Sequence, residues 1–167
     1  NRRHLMMGAG LAATAFAASG AQAYAEANST TPDLSGKSVL ITGCSSGFGR
    51  LGAEHYARLG AKVFATMRNL PRPEADELTA LAASDGLDIT VIEIDVTSDA
   101  QVEAGVAEAL AEAGGSIDVL INNAGIAFAG PIEVQDMDAT QLIFDTNVFG
   151  PQRMIRALLP AMRAAGS

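Results

Sequence analysis

From Thr42 to Gly49 the chain reads Thr-Gly-Cys-Ser-Ser-Gly-Phe-Gly, with glycines at 43, 47 and 49. The run lies between an apolar stretch, Ser38-Val39-Leu40-Ile41-Thr42, and a segment of helical periodicity. Glycines at such a junction serve three ends: a sharp turn off a strand, room for a pyrophosphate against bare backbone, and close packing of helix on strand. A helix that starts there offers unpaired N–H groups and a partial positive charge to phosphates. The chemistry implied is dinucleotide binding. Glycine spacing alone is weak evidence, and the strand-turn-helix context strengthens it.

Other candidate groups fall at the ends of later apolar runs. Met67 closes the second run and Arg68 follows it directly. A site for NAD places a carboxylate there, on the ribose 2'-hydroxyl. An arginine instead grips a 2'-phosphate, so NADP is expected over NAD; a solvated loop arginine is the plainer reading of Arg68. Asp95 and Val96 follow the third run, and Asn122-Asn123-Ala124-Gly125 end the fourth. Asp95 by itself also suits a helix cap for a segment starting at Thr97 or Ser98, and the asparagines could satisfy backbone groups in a turn. Farther on, Asn147 precedes Pro151 by four residues. Proline lacks an N–H, so the Asn147 carbonyl loses its helical partner and a kink is expected, with a water as the natural replacement. The alternative is that Pro151 begins a new helix after a break at Gly150.

These groups need elements to hold them. Apolar runs at 38–42, 62–67, 89–94 and 117–122 read as strands, and their near-continuous hydrophobicity suits a parallel sheet buried on both faces. Between them lie helical patterns. Phe48, Leu51, His55, Tyr56 and Leu59 form the stripe of the first, closed by Gly60; a short second covers about 74–83. Val102, Val106 and Leu110 mark the third, and a long fourth spans roughly 138–162. Alternating strands and helices predict an α/β fold, a doubly wound parallel sheet in the order 3-2-1-4. The fourth strand would then lie at an open edge, so the chain reads as the truncated first part of a larger domain.

The spacing Thr-Gly-x-x-x-Gly-x-Gly at 42–49, together with Asp95-Val96, Asn122-Asn123-Ala124-Gly125 and Asn147-x-x-Gly150, resembles the short-chain dehydrogenase/reductase family. The resemblance runs from about Leu34 to Ser167. It implies that Gly43, Ser45, Ser46, Gly47, Phe48 and Gly49 wrap the cofactor phosphates. It implies further that Asp95 and Val96 receive the adenine, and that Asn122, Ala124 and Gly125 line the adenosine-ribose side. Asn147 corresponds to an asparagine of the family's catalytic tetrad, where its main-chain carbonyl holds a water of the proton relay. The activity implied is hydride transfer between NADP(H) and a small alcohol or carbonyl substrate, and family members commonly form homo-oligomers. Details such as Gly-Cys-Ser-Ser-Gly and Ala65-Thr66-Met67-Arg68 look like the steroid- and retinol-handling branch.

The family also requires a serine and a Tyr-x-x-x-Lys pair, because a tyrosine titrating near 10 needs help to act as a base at neutral pH. Tyr24 and Tyr56 are the only tyrosines, and the positions four residues on hold Asn28 and Gly60. The three catalytic groups are therefore expected beyond Ser167, and the chain alone is expected to be inactive. A non-catalytic nucleotide-binding or regulatory protein of the same fold is the alternative.

Composition narrows the field. The chain carries a net charge of -8 with no lysine- or arginine-rich run, which argues against nucleic acid as a partner. Cys44 stands alone, suited to space-filling, and no Cys/His spacing suggests a metal. Arg2-Arg3, an Ala/Gly-rich stretch and Ala21-Gln22-Ala23 resemble a twin-arginine signal over residues 1–25, followed by a linker at 26–35. Export to the periplasm is expected if that signal is used, and a cytoplasmic location if it is not. The stretch is too short and too poor in Leu, Ile and Val for a stable membrane span. A native amphipathic or disordered tail is the alternative there.

Overall fold

The computed structural model describes residues 31–166, so the signal at 1–25 and residues 26–30 of the linker lie outside the described residues. From Leu34 onward the chain forms one compact unit. Four strands, β1 (Ser38–Ile41), β2 (Lys62–Met67), β3 (Ile89–Glu93) and β4 (Val119–Ile121), alternate with helices. They pair in parallel in the order β3-β2-β1-β4, which is the doubly wound arrangement expected from the sequence. Leu40 stands opposite Phe64 in β2 and Leu120 in β4, and Ala65 opposite Val91 in β3.

The two faces of the sheet separate by residue parity, as side chains on a strand must. Val39, Ile41, Val63, Ala65 and Met67 face one way and pack with helices α1 (Gly47–Arg58) and α2 (Pro73–Asp85). Leu40, Phe64 and Ile92 face the other way. They meet Val102, Val106 and Ala109 of α3 (Asp99–Glu112) and Met154 and Leu158 of α5 (Gly150–Ala165). Phe64 is fully buried, a contribution of about 1.5–3 kcal/mol. Both faces of the inner strands are covered by helices, which is why these strands are apolar at successive residues such as Val39-Leu40-Ile41 and Val63-Phe64-Ala65.

Two expectations need correcting. The stripe read on α1, from Phe48 to Leu59, is not its inner face: Gly49, Ala53 and Ala57 are buried instead. Small residues let this helix sit close on the sheet, and its larger apolar side chains fall beside the contact. Phe48, Leu51, His55 and Tyr56 line a groove with Ile41 and Ile121 along the β1/β4 side. The fourth strand is also shorter than read, because Ile117 is buried ahead of it and Asp118 takes a different task.

That task is a clamp. Asp118 Oδ1 accepts from Lys37 Nζ at 2.8 Å, and Oδ2 accepts from the Ser38 amide at 2.8 Å and its hydroxyl at 2.9 Å. The Asp118 amide returns a bond to Ser38 Oγ at 3.0 Å. The starts of β1 and β4 are thereby held in register.

The fourth helical segment is long, as expected, and continuous from Met137 to Ala165. It consists of α4 (Met137–Phe144), a π turn (Asp145–Phe149) and α5. Among the described residues no helix is long and apolar enough to cross a membrane, and no His/Cys/Asp/Glu group could hold a metal.

The Lys37 bond, with the Ser38 amide behind it, lowers the Asp118 carboxyl to about 2. A depressed folded-state value stabilises the fold above the unfolded value near 4, and that stability drains away as pH falls towards 2. Asp118→Asn should therefore lose about 1–2 kcal/mol at pH 7 in urea unfolding. The gap to the wild type should narrow steadily between pH 4 and 2. A gap independent of pH would show that the carboxylate charge plays no part.

Candidate nucleotide-binding site

The carboxyl ends of the parallel strands open into a cleft of about 300 Å³. Loops after each of the four strands contribute, as open parallel sheets require where the strand order reverses. Gly43, Ser45 and Ser46 come from the turn after β1, Met67 and Arg68 from β2, and Ile94, Asp95 and Val96 from β3. Asn123 to Ile126 follow β4, and Thr146 enters from the π turn.

The glycines of the first turn divide the work as the sequence implied. Gly43 holds φ +73°, a left-handed conformation, and a Cβ there would stand 2.8 Å from Ala124 Cα. Gly49 lies where a side chain would strike the Gly43 carbonyl and the Asn123 side chain. Ser46, the residue before α1, makes no side-chain cap bond, and no acidic residue sits in the first turn. The helix start therefore keeps its N–H groups and positive dipole end for an anion.

Four residues predicted to bind the cofactor do not share the lining. Gly47 and Gly49 shape the turn from outside it. Phe48 is 87% exposed and lines the separate α1 groove, so only its backbone can serve a phosphate. Asn122 is exposed and outside the cleft, while the neighbouring Asn123 takes the lining position.

Asn123 does satisfy backbone groups of a turn, as its alternative reading had it, but its partnership with Thr42 was not foreseen. Thr42 Oγ1 accepts from the amides of Asn123 and Ala124, both at 3.0 Å. In return Asn123 Nδ2 donates to the carbonyls of Thr42 at 2.8 Å and Gly43 at 3.1 Å. The loops after β1 and β4 are thus stitched across a sequence separation of about eighty residues. Thr42 stands at the head of the glycine motif, but nothing in its surroundings tells which residues it meets.

Asp95 is positioned by two local devices. Its Oδ1 accepts from the Thr97 amide at 2.9 Å and hydroxyl at 2.7 Å, leaving Oδ2 for a ligand. Its amide donates to Gln101 Oε1 at 2.8 Å. Ser98, not Asp95, is the helix cap, accepting from the Gln101 amide at 3.3 Å. This Ser-x-x-Gln pair is a variant of the capping box, legible in the sequence.

Charge is distributed unevenly around the rim. Arg72 is engaged with Glu74 through Nε at 2.9 Å and Nη2 at 3.1 Å, and its Nη1 donates to the Arg68 carbonyl at 3.2 Å. The Arg72 bond holds the Glu74 carboxyl down to about 2. Arg68 is exposed at the cleft, and among the described residues no carboxylate pairs with its guanidinium. Cys44 is fully buried, and burial pushes its thiol up to about 12, so it fills space and is no nucleophile.

The π turn falls where Pro151 withholds its N–H from the Asn147 carbonyl. The Gly150 amide donates five residues back to Asp145 instead, and α5 begins with Pro151 in its first turn. The helix runs on through Gly150 with one widened turn, so the break that was the alternative reading is not seen. The Asn147 side chain braces the β4 loop, accepting from the Ile126 amide at 2.9 Å and donating to its carbonyl at 2.8 Å. Arg153 fixes the other side, reaching Asp145 Oδ1 at 2.8 Å, Asp99 Oδ1 at 2.7 Å and the Val96 carbonyl at 3.2 Å.

Residues 37–167 match the family model described as short chain dehydrogenase. The chain belongs to this family. It is 42% identical to human retinol dehydrogenase 8 over 130 residues, which are 76% of this chain and 40% of that protein. A short-chain dehydrogenase from Streptomyces avermitilis superposes with a TM-score of 0.70 at 39% identity, over 78% of this chain and 46% of the other. A gluconate 5-dehydrogenase from Burkholderia cenocepacia, solved with NADP and tartrate, gives 0.72 at 31%, over 80% and 51%. The chain thus spans about two fifths to one half of the length of these relatives.

The stitch at Thr42 is testable. Thr42→Val deprives the Asn123 and Ala124 amides of their acceptor, and should cost about 1–3 kcal/mol in urea unfolding. Thr42→Ser should recover most of it. Equal stability of the valine variant and the wild type would show that the stitch is unimportant.

Proposed function

We propose that this chain forms the NADP(H)-binding part of an oxidoreductase that moves a hydride between the nicotinamide and an alcohol or carbonyl carbon. The observation that carries the reading is Arg68, an unpaired guanidinium at the cleft directly after Met67, where an NAD site would hold a carboxylate. Relatives solved with NADP or NADPH, among them the gluconate dehydrogenase, support the same choice. The residues present fit the cofactor: a left-handed glycine turn, an uncapped helix start, a free carboxylate oxygen on Asp95 and a cation for a 2'-phosphate.

NADP(H), when bound, supplies or takes up a hydride at C4 of its nicotinamide. Backbone amides at Gly43, Ser45, Ser46, Gly47, Phe48 and Gly49 bind the phosphates. Asp95 accepts from the adenine amino group beside Val96, and Ala124 and Gly125 wall the ribose; Asn122, outside the cleft, acts at most through its backbone. The Asn147 main-chain carbonyl, denied a partner by Pro151, holds a water that feeds the proton relay. The serine, tyrosine and lysine that complete the family's chemistry are assigned to the protein beyond Ser167.

Titration of the purified protein with NADPH and NADH tests the reading. NADPH should bind more tightly, and Arg68→Ala should weaken it about 10- to 100-fold, the worth of a charge-assisted contact, with little effect on NADH. A preference for NADH, or indifference to the substitution, would overturn the assignment. Binding without turnover of any alcohol or carbonyl substrate by the full-length protein would leave a nucleotide-binding protein in place of an enzyme.

The residues at 1–25 are assigned to twin-arginine export. That route carries folded proteins, so the cofactor can travel bound. Cell fractionation should find the protein outside the cytoplasm and dependent on Arg2 and Arg3; a cytoplasmic protein that retains residues 1–25 would defeat the idea.

A further inference from the structure

Among the described residues, the hydroxyls of Thr66, Ser116 and Thr146 are buried without a hydrogen-bond partner, and Thr146 alone of these lines the cleft. Thr146 is 5% exposed. A helical threonine ordinarily turns its hydroxyl back onto a carbonyl of the preceding turn, and a buried hydroxyl left unmatched is destabilising. The local backbone explains why that return is not made, since Thr146 sits inside the π turn Asp145–Phe149.

The position is held rigidly from two sides. Asn147 is tied to the Ile126 backbone by two bonds of 2.9 and 2.8 Å. Gly150 lies against Val96, where a Cβ would come within 2.8 Å of Val96 Cγ2. Arg153 draws the Asp145 carboxylate and the Val96 carbonyl together at 2.8 and 3.2 Å. Thr146 is thereby fixed between the β3 loop, with Asp95 and Val96, and the β4 loop, with Ala124 to Ile126. Those two loops are the ones that receive adenine and its ribose in the reading above.

We propose that Thr146 is a binding determinant for the adenosine half of the cofactor, its hydroxyl exchanging a hydrogen bond with an adenine ring nitrogen or a ribose hydroxyl. A hydroxyl both donates and accepts, so it suits either group. The inference rests on the NADP(H) reading and adds a residue to it. It also explains why an unmatched hydroxyl is kept in a place where valine would fill the same volume without it.

Adenosine 2',5'-bisphosphate, which carries the adenosine half and no nicotinamide, is the probe, measured by calorimetry on the purified protein. Thr146→Val should bind it about 5- to 20-fold more weakly, the range of one hydrogen bond, and Thr146→Ser within about 2-fold of the wild type. Without ligand, the valine variant should be at least as thermally stable as the wild type, because an unmatched polar group has gone. Wild-type binding with an equal affinity for Thr146→Val would overturn this inference and leave the NADP(H) reading standing. Valine and serine variants that both lose stability and affinity together would show a structural role instead. Failure of the wild type to bind the probe would overturn both.

Discussion

The cleft exists because two strand ends are held together by a single hydroxyl. Thr42 Oγ1 accepts two amides of the β4 loop, and Asn123 answers by donating to two carbonyls of the β1 turn. Past the pairing of Ile41 with Ile121 the Thr42 amide still donates to the Ile121 carbonyl at 3.0 Å, and the two side chains carry the connection on from there. Four bonds through two side chains do the work that sheet pairing does elsewhere. They also set how closely Gly43 approaches Ala124, and hence the shape of the turn against which α1 begins. Gly43 and Ala124 take their places from this stitch, while Ile126, farther along the β4 loop, is held by Asn147.

How far the sequence reveals such a site depends on the range of the interaction. The strands and helices were legible because each follows from local periodicity, and β2 agrees with its reading to the residue. The parallel order follows from alternation and the handedness of crossovers. A helix start close after Asp95 was readable because it follows from neighbouring residues, though the cap proved to be Ser98 rather than Asp95. The Asp118 clamp and the Thr42–Asn123 stitch were not, since each joins residues about eighty apart. The α1 stripe misled for a different reason. Hydrophobicity ranks Phe48 and Leu51 above Gly49 and Ala53, whereas close approach of helix to sheet selects the smaller residues.

The π turn shows a local signal with a non-local use. Pro151 announces a defect in the helix, and the sequence alone leaves it as either a kink or a break. The structure keeps the helix continuous by widening one turn, a form of bulge that recurs at functional sites. The widened turn is stable because Arg153 and Asn147 tie its two ends to different loops. Removing the proline's constraint would remove the reason for the widening, and with it the placement of Thr146 and Asn147.

The proposed cofactor is an anion and the chain carries a net charge of -8, and the ion pairs resolve the conflict. Lys37, Arg50, Arg58, Lys62, Arg72 and Arg153 are each paired with a carboxylate at 4 Å or less. Their charge is matched within the fold. Attraction at the cleft therefore owes little to the global field, which falls off within about 8–10 Å in physiological salt. It comes from groups in direct reach: the backbone amides at the start of α1, and Arg68. Arg72 also lines the cleft, but its guanidinium is engaged by Glu74 and by the Arg68 carbonyl. On the proposed reading, selectivity for a 2'-phosphate rests on one exposed guanidinium at the cleft rather than on a basic patch.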